Sequence, residues 1–148
     1  MWYYKGEEMS STEDFPPNTF GFVYRVIHEP SGKIYLGKKV LQFNRRAKLT
    51  KKDLALFEGG KGRKPTFKRV IKESDWKTYY GSHKEILALI KEGKQGDFRR
   101  EILTLARTKK LLTYEETKAL FLYEVLQKPD EYFNDNILGK FFRKDFII

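Results

Sequence analysis

The clearest pattern along the chain is a dense apolar run that is followed, after a turn, by a second one. Residues 20–28 (FGFVYRVIH) are rich in β-branched and aromatic side chains, and residues 34–40 (IYLGKKV) repeat that character. Between them, residues 29–33 (EPSGK) have the residue types of a tight turn. The pattern predicts two antiparallel strands that form a largely buried β-hairpin.

Three further elements are predicted in the second half of the chain. Residues 82–93 open with a serine that suits a helix N-cap, continue with helical apolar spacing and end in glycine. Residues 97–105 alternate partly between polar and apolar side chains, which predicts a third strand. Thr113 and Glu116 match the capping-box pattern and predict a second helix that ends near Gln127.

The remaining segments are less regular. Residues 1–19 are polar and contain prolines, so we expect an N-terminal arm, and residues 137–148 form a basic and aromatic tail. Residues 41–75 have no clear period and are expected to be a long basic insertion with one short helix at 51–57. The predicted fold is therefore α+β: a single domain over residues 20–136, with a small three-stranded antiparallel β-sheet flanked by helices.

Composition excludes several classes of protein. The 148 residues are 40% hydrophobic, which is enough for one compact core. The absence of cysteine excludes disulfides, thiolate zinc sites, iron–sulfur clusters and cysteine catalysis. No apolar run approaches the roughly 20 residues of a membrane span, so no membrane partner is expected. The N-terminus lacks the features of a signal peptide, and the chain is compatible with a reducing cytoplasm.

Charge is the feature that points to a partner. The chain carries 30 Lys and Arg against 20 Asp and Glu, for a net charge of +10. Residues 1–20 have a net charge of −3, whereas residues 38–72 contain thirteen Lys or Arg and two acids, a net charge of +11. Such a concentrated cationic segment favours a polyanionic partner, most simply nucleic acid, although a solvated surface loop is the plainer alternative.

The hairpin also contains a recognisable motif. Phe22-Val23-Tyr24 on the first strand and Tyr35-Leu36-Gly37 on the second resemble the signature of the GIY-YIG nucleases. The family pattern continues with a glutamate early in a helix and with an asparagine after an aromatic residue. Glu116 and Asn134 stand in that order here. The resemblance covers residues 20–136 and is closest to compact phage enzymes of the homing or Seg-like type.

The resemblance implies hydrolysis of DNA phosphodiester bonds at one divalent metal ion. It assigns Glu116 as the ligand of Mg²⁺ or Mn²⁺, which both prefer oxygen donors. It assigns Tyr24 as general base or positioner of the attacking water, Tyr35 as its partner, and Asn134 as a hydrogen-bonding residue that organises the site. Each side chain also has a structural alternative: core aromatics for the tyrosines, a helix cap for Glu116 and a turn residue for Asn134. Asn136 is the rival of Asn134.

The family's catalytic arginine has no single counterpart. Arg45 and Arg46 have the right spacing after Gly37, but no helical pattern surrounds them. If residues 41–75 are an insertion, the positive charge could come from Lys38, Lys39, Lys84 or Arg100 instead. The cations expected to contact DNA are Lys38, Lys39, Arg45, Arg46, Arg63, Lys64, Lys68, Arg69, Lys84 and Arg100.

The sequence therefore predicts a metal-dependent DNA endonuclease that resembles phage homing or Seg-like GIY-YIG enzymes. The resemblance implies the cytoplasm of a phage-infected bacterial host as its location. A non-catalytic nucleic-acid-binding protein with the same fold is the main alternative, and a protein partner that supplies specificity also remains open. The expected contacts are mainly to the DNA backbone, which carries no sequence information.

Overall fold

The predicted hairpin is confirmed and forms one side of the central sheet. The computed structural model describes residues 1–56 and 67–147, except for the side chains of Asn44, Arg45, Asp53, Leu54, Leu56 and Arg69. Strands β3 (Gly21–His28) and β4 (Lys33–Val40) pair antiparallel along their whole length. Gly32 closes the turn with a positive φ of 75° and donates its N–H to the carbonyl of His28 at 2.7 Å.

The sheet has five strands rather than three, and it is mixed rather than antiparallel. This sheet includes β1 (Trp2–Tyr4), β2 (Glu7–Met9) and β7 (Phe98–Ala106), in the spatial order β2-β1-β7-β3-β4. Strand β7, the predicted third strand, pairs antiparallel with β3, and β1 pairs parallel with β7. The three-stranded prediction is correct for the antiparallel part, β7-β3-β4, and wrong for the edge.

The first 19 residues are therefore not a free arm. Trp2 is only 1% exposed, and its indole N–H donates to the carbonyl of Trp76 at 2.6 Å. The Trp2 ring also meets the edges of Phe22 and Tyr24 with centroid separations of 5.1 and 5.3 Å. These contacts stabilise a strand of three residues that is too short to be recognised from its sequence pattern.

Two α-helices flank the sheet, and their caps differ from the predicted ones. Helix α2 (Lys84–Lys91) is capped by the ring nitrogen of His83, which accepts the backbone N–H of Glu85 at 3.2 Å. Helix α3 (Lys109–Leu122) starts at Thr108, whose hydroxyl accepts the backbone N–H of Leu111 at 3.1 Å. The expected capping box at Thr113 is therefore wrong, since Thr113 already lies inside the helix.

The segment expected to be an irregular insertion is largely regular. Strand β5 (Gln42–Lys48) and strand β6 (Phe67–Glu73) form a separate two-stranded antiparallel ribbon, with the short helix α1 (Lys51–Leu56) between them in sequence. The predicted helix at 51–57 agrees with α1 as far as the described residues go. The ribbon starts immediately after β4, and its base is held by the N–H of Ser74, which donates to the carbonyl of Leu41 at 3.0 Å.

The core lies on both sides of the central sheet. One cluster of buried side chains is dominated by aromatic residues from β1, β3 and the single helical turn at Trp76–Thr78. A second cluster joins β4 to residues that follow α3, including Val125 and Leu126. The chain then ends in a small hairpin of β8 (Asn136–Ile137) and β9 (Phe141–Phe142). Among the described residues, no helix has the length and apolar character needed to cross a bilayer.

Candidate active site

A polar cavity of about 370 Å³ opens between β4, the start of α2, the middle of α3 and the segment that precedes β8. Four parts of the chain, far apart in sequence, contribute to it because the segment after α3 runs beside β4. The N–H of Phe133 donates to the carbonyl of Ile34 at 2.8 Å and fixes that arrangement. The polar and charged residues that line the cavity are Tyr35, Ser82, His83, Lys84, Glu116, Asn134, Asp135 and Asn136.

Glu116 is the carboxylate that α3 brings to this cavity. Because α3 starts at Thr108, Glu116 lies in the third turn of the helix, where it satisfies no N-terminal backbone group. Glu116 therefore does not cap the N-terminus of α3. Burial raises the pKa of the Glu116 carboxyl above its ordinary value, and the charge and backbone N–H of Lys38 act in the opposite direction. A partly desolvated carboxylate with incomplete compensation favours a bound cation.

Tyr24 lies below the cavity and does not line it. Its ring packs so closely on β4 that a Cβ at Gly37 would lie 2.5 Å from the Tyr24 hydroxyl, so the glycine of the second triplet makes room for the tyrosine of the first. Burial is the largest cause of a pKa well above the ordinary value for Tyr24, and neighbouring Tyr79 and Tyr35 act in the same direction. This direction of the pKa shift disfavours a phenolate at Tyr24.

Tyr35 is the hairpin tyrosine that reaches the cavity. Its hydroxyl lies 3.1 Å from the hydroxyl of Ser82, and its ring packs against Gly81, whose φ of +105° suits only glycine. Burial raises the pKa of Tyr35, and the hydrogen bond with Ser82 opposes that shift. The two tyrosines therefore lie on the same face of the hairpin: Tyr24 is buried in the core, and Tyr35 reaches the cavity.

Asn134 is 4% exposed and bonds to the backbone of β4 in both directions. Its side-chain oxygen accepts the N–H of Leu36 at 2.9 Å, and its side-chain nitrogen donates to the carbonyl of Leu36 at 2.8 Å. This amide therefore holds the segment after α3 against the second triplet. Asn136 makes only local bonds, to Asp135 and Gly139. The geometry supports Asn134, rather than Asn136, as the residue that organises the site.

His83 lines the cavity, although it is not among the predicted site residues. Because its Nδ1 accepts the N–H of Glu85, the neutral ring carries its proton on Nε2, which lies 3.9 Å from a carboxylate oxygen of Asp135. The ring is flanked by Tyr35 and Phe133, with centroid separations of 6.0 and 5.6 Å. The only signal in the sequence is its place directly after Gly81-Ser82, where the chain enters α2.

The candidate cations divide into those near the cavity and those held elsewhere. The ammonium of Lys38 donates to the hydroxyl of Thr113 at 3.0 Å, one helical turn from Glu116, and Lys84 lines the cavity. Lys39 is paired with Asp75, and its ammonium lies 3.9 Å from the ring centre of Tyr79. Arg100 is 4% exposed, so its assignment as a DNA contact is wrong.

The buried state of Arg100 has a structural cause. Its guanidinium donates to the carbonyls of Lys77 and Tyr79, both at 2.9 Å, and lies between the rings of Trp2 and Tyr80. Burial lowers the pKa of this guanidinium. Arg100 therefore joins the N-terminal strand to the segment before α2, and it presents no surface to a polyanion.

The two arginines with family-like spacing lie on the ribbon instead of a helix. Arg46 is exposed, with its guanidinium 4.6 Å from the ring centre of Phe67, and it does not line the cavity. The side chains of Arg45 and Arg69, and all of Arg63 and Lys64, lie outside the described residues. Among the cations whose side chains are described, Lys38 and Lys84 are the ones beside Glu116.

The residues present fit a hard divalent cation with a small number of protein ligands. Within residues 1–56 and 67–147, no three His, Asp or Glu side chains come together as a metal cluster. Glu116 nevertheless brings a desolvated carboxylate to a cavity that Asp135 and Asn136 also line with oxygen atoms. Mg²⁺ commonly binds through one or two carboxylates and fills its other positions with water and substrate phosphate.

The comparison with protein families identified one match, which covers residues 2–137. The matching family is described as "Putative endonuclease segE, GIY-YIG domain". It includes β1, which the expected domain boundary at residue 20 had left out. Searches of curated proteins and of solved structures gave no match.

Proposed function

Because the chain belongs to the Seg-like branch of the GIY-YIG nuclease superfamily, we propose that it is a DNA endonuclease that depends on a divalent metal ion. The reaction is hydrolysis of a phosphodiester bond at the cavity lined by Tyr35 and Glu116. The water oxygen forms a bond to phosphorus, one P–O ester bond breaks, and the leaving oxygen takes up a proton. A homing-type role in a phage is the biological setting that we propose for this activity.

The observation that carries this proposal is the environment of Glu116. A carboxylate in the third turn of a helix has no capping function, and burial raises its pKa although Lys38 is near. Such an arrangement lowers the stability of the free protein at neutral pH, and it is retained where a cation or a charged substrate compensates for it.

Glu116 is the residue that would hold the metal ion, with water and a substrate phosphate as the other ligands. When bound, the ion supplies positive charge to the phosphate and lowers the pKa of a coordinated water. Asp135 and Asn136 line the same cavity. Their side-chain oxygen atoms can accept hydrogen bonds from the water molecules bound to the metal ion.

The remaining cavity residues have roles that follow from their atoms. Lys38 and Lys84 provide the positive charge for the phosphate that the family's arginine would otherwise supply. His83 donates from Nε2 to a phosphate oxygen, because its Nδ1 is occupied by the helix cap. Tyr35 positions the attacking water through its hydroxyl, and the buried ring of Tyr24 packs against the ring of Tyr35 with a centroid separation of 6.4 Å.

A matched pair of variants tests the proposal. Glu116→Gln removes one negative charge from the cavity and keeps the number of non-hydrogen atoms in the side chain. Glu115→Gln makes the same change at the adjacent position, which lines a separate pocket. We expect supercoiled plasmid to be nicked or linearised by the parent and by Glu115→Gln with Mg²⁺ or Mn²⁺, and rates at least 100-fold lower for Glu116→Gln.

The controls distinguish catalysis from binding. Addition of EDTA should stop cleavage by the parent, and gel-shift affinity of Glu116→Gln for the same DNA should stay close to that of the parent. If the parent binds duplex DNA but leaves plasmid supercoiled with either metal, the alternative of a non-catalytic binding protein replaces the nuclease proposal.

A further inference from the structure

The β5–β6 ribbon is the largest regular element that the proposed chemistry does not use. Its two strands hold six Lys or Arg and one Glu in fourteen residues, a net charge of +5. Several apolar side chains on it are open to solvent: Phe43 is 40% exposed, Phe67 is 48% exposed and Ile71 is 67% exposed. A ribbon with this composition does not form part of the core of the domain.

The charges lie on both faces of the ribbon. In an antiparallel pair, directly opposed residues share a face, and neighbours along a strand alternate between faces. Arg46 and Lys48 therefore lie on one face, and Lys68 and Lys72 lie on the other. A surface ribbon that packs on its own domain has one apolar face, and this ribbon has none.

The register also places like charges opposite each other. Arg46 stands directly opposite Arg69 in the strand register. Glu73, at the base, is the only acid within the two strands. The six cations outnumber the one acid within the two strands, and the resulting net charge of +5 favours an external polyanion.

We propose that the β5–β6 ribbon enters the major groove of duplex DNA and positions the duplex for cleavage. This inference rests on the proposed function. A two-stranded ribbon with its side chains is about 10 Å thick, which fits the major groove, about 12 Å wide, but not the minor groove, about 6 Å wide. With cations on both faces, the ribbon contacts the phosphates of both walls, and its exposed apolar side chains meet base edges and thymine methyl groups.

The length of chain between the cavity and the ribbon limits the distance between the ribbon's DNA contacts and the cleaved phosphodiester bond. Lys38 lies beside Glu116, and only ten residues separate Lys38 from the end of β5 at Lys48. Fully extended, that chain reaches at most about 35 Å, which is close to one turn of B-DNA. The ribbon therefore contacts the duplex within about ten base pairs of the cleaved bond.

Two pairs of charge deletions test the binding surface without using cleavage. Arg46→Ala combined with Lys48→Ala removes two cations from the ribbon, and Lys91→Ala combined with Lys94→Ala removes two exposed cations at the far end of α2. Binding of a 40-base-pair duplex is measured in EDTA at several salt concentrations. We expect the ribbon pair to weaken binding at least 10-fold and to reduce the salt slope by about 2, with the α2 pair close to the parent. Equal effects of the two pairs would overturn the proposal.

Chemical interference identifies the groove. Methylation of guanine N7 modifies the major groove, and methylation of adenine N3 modifies the minor groove. We expect N7 methylation to weaken binding at positions within about ten base pairs of the cut, and N3 methylation to have little effect there. Interference confined to adenine N3, or preference for single-stranded DNA or for RNA over the duplex, would overturn the assignment.

These experiments can contradict the ribbon inference without contradicting the nuclease proposal, and the reverse is also true. If the parent cleaves plasmid and the ribbon pair binds as the parent does, the ribbon inference is wrong and the nuclease proposal stands. If the ribbon pair and the N7 methylation both weaken binding while the parent cleaves nothing, the nuclease proposal is wrong and the groove contact stands. Circular dichroism and thermal melting confirm that all variants remain folded.

Discussion

The cavity around Glu116 and the β5–β6 ribbon use their polar side chains in opposite ways. Asn134 in the cavity and Tyr24 beside it are buried and are fixed by contacts that cross large distances in sequence. On the ribbon, Arg46 and Lys72 are exposed, and the strands pair mainly with each other. The groups proposed for the chemistry are therefore held against the sheet, whereas the cations proposed to contact a polyanion lie on an element outside the buried clusters of the core.

The same residue type shows this contrast most sharply at Arg100 and Arg46. Arg100→Ala removes two hydrogen bonds to backbone carbonyls and leaves a space between Trp2 and Tyr80. We expect a loss of about 3–4 kcal/mol in the free energy of unfolding, because two buried acceptors lose a charged donor. Arg46→Ala should change that free energy by less than about 0.5 kcal/mol and should weaken DNA binding. Urea denaturation with an unchanged m-value measures the first effect, and stability losses of similar size in both variants would remove the distinction between the regions.

The burial of Arg100 is an example of a feature that could not be predicted from the sequence. A lysine- and arginine-rich chain gives no local sign that one arginine is buried, because its partners, the carbonyls of Lys77 and Tyr79, belong to a remote turn. The β3–β4 hairpin, in contrast, was predictable because its apolar density and its turn glycine are local signals. The β5–β6 ribbon was not predicted because charged residues interrupt the period-two alternation of polar and apolar residues in its strands. The start of α3 was predicted wrongly because Thr108 and Thr113 are equally good N-cap residues in the sequence. In the structure, Thr108 has the extended backbone of an N-cap residue, and Thr113 lies within the helix.

The candidate site was predictable to a similar extent. The motif resemblance named Tyr35, Glu116 and Asn134, and the structure brings all three to one cavity. The resemblance could not say that Tyr24 lies beneath the cavity, since that depends on the contact between its ring and Gly37. Nor could it say which cation replaces the arginine, because the ribbon between β4 and α2 moves Arg45 and Arg46 away from the helix positions of the family pattern.

Asn134 tests whether the cavity depends on its buried bonds. Asn134→Ala leaves the N–H and the carbonyl of Leu36 without their partners in a buried place. We expect a loss of about 2–4 kcal/mol in the free energy of unfolding, and a larger loss of cleavage than stability alone explains. Asn136→Ala, which removes only local bonds at an exposed position, should lower stability by about 0.5 kcal/mol or less. Equal losses from the two variants, measured by thermal and urea denaturation, would mean that Asn134 does not organise the site.

Gly37 tests the close packing below the cavity. A methyl group at Gly37 would lie 2.5 Å from the Tyr24 hydroxyl and 2.7 Å from Tyr24 Cζ, so the ring must shift. We expect Gly37→Ala to lower stability by about 1–3 kcal/mol and to displace Tyr24. Gly96→Ala is the matched control, because a Cβ there meets no atom within 4 Å. A Gly37→Ala variant as stable and as active as the parent would show that the packing of the two triplets is not needed.

Glu116 gives the smallest effect on stability, and its sign is opposite to that of the other variants. Burial raises the pKa of this carboxyl in the folded chain above its unfolded value, so the native state binds the proton more tightly. That contribution to stability is complete below the unfolded pKa of about 4.3 and is lost as the pH rises through the folded pKa. Glu116→Gln removes the cost of the ionised form, and we therefore expect its Tm to exceed that of the parent by about 2–4 °C at pH 7.5 and to equal it near pH 4.

Thermal melting at the two pH values measures this difference, with Glu115→Gln as the reference for loss of one charge from α3. Addition of MgCl₂ at pH 7.5 should raise the Tm of the parent and leave Glu116→Gln unchanged, because a ligand stabilises only the state that binds it. A Glu116→Gln variant that is less stable than the parent at pH 7.5 would mean that Lys38 fully compensates for the buried carboxylate. The cavity would then need no external cation, and the contrast between the two regions would rest on the charge of the ribbon alone.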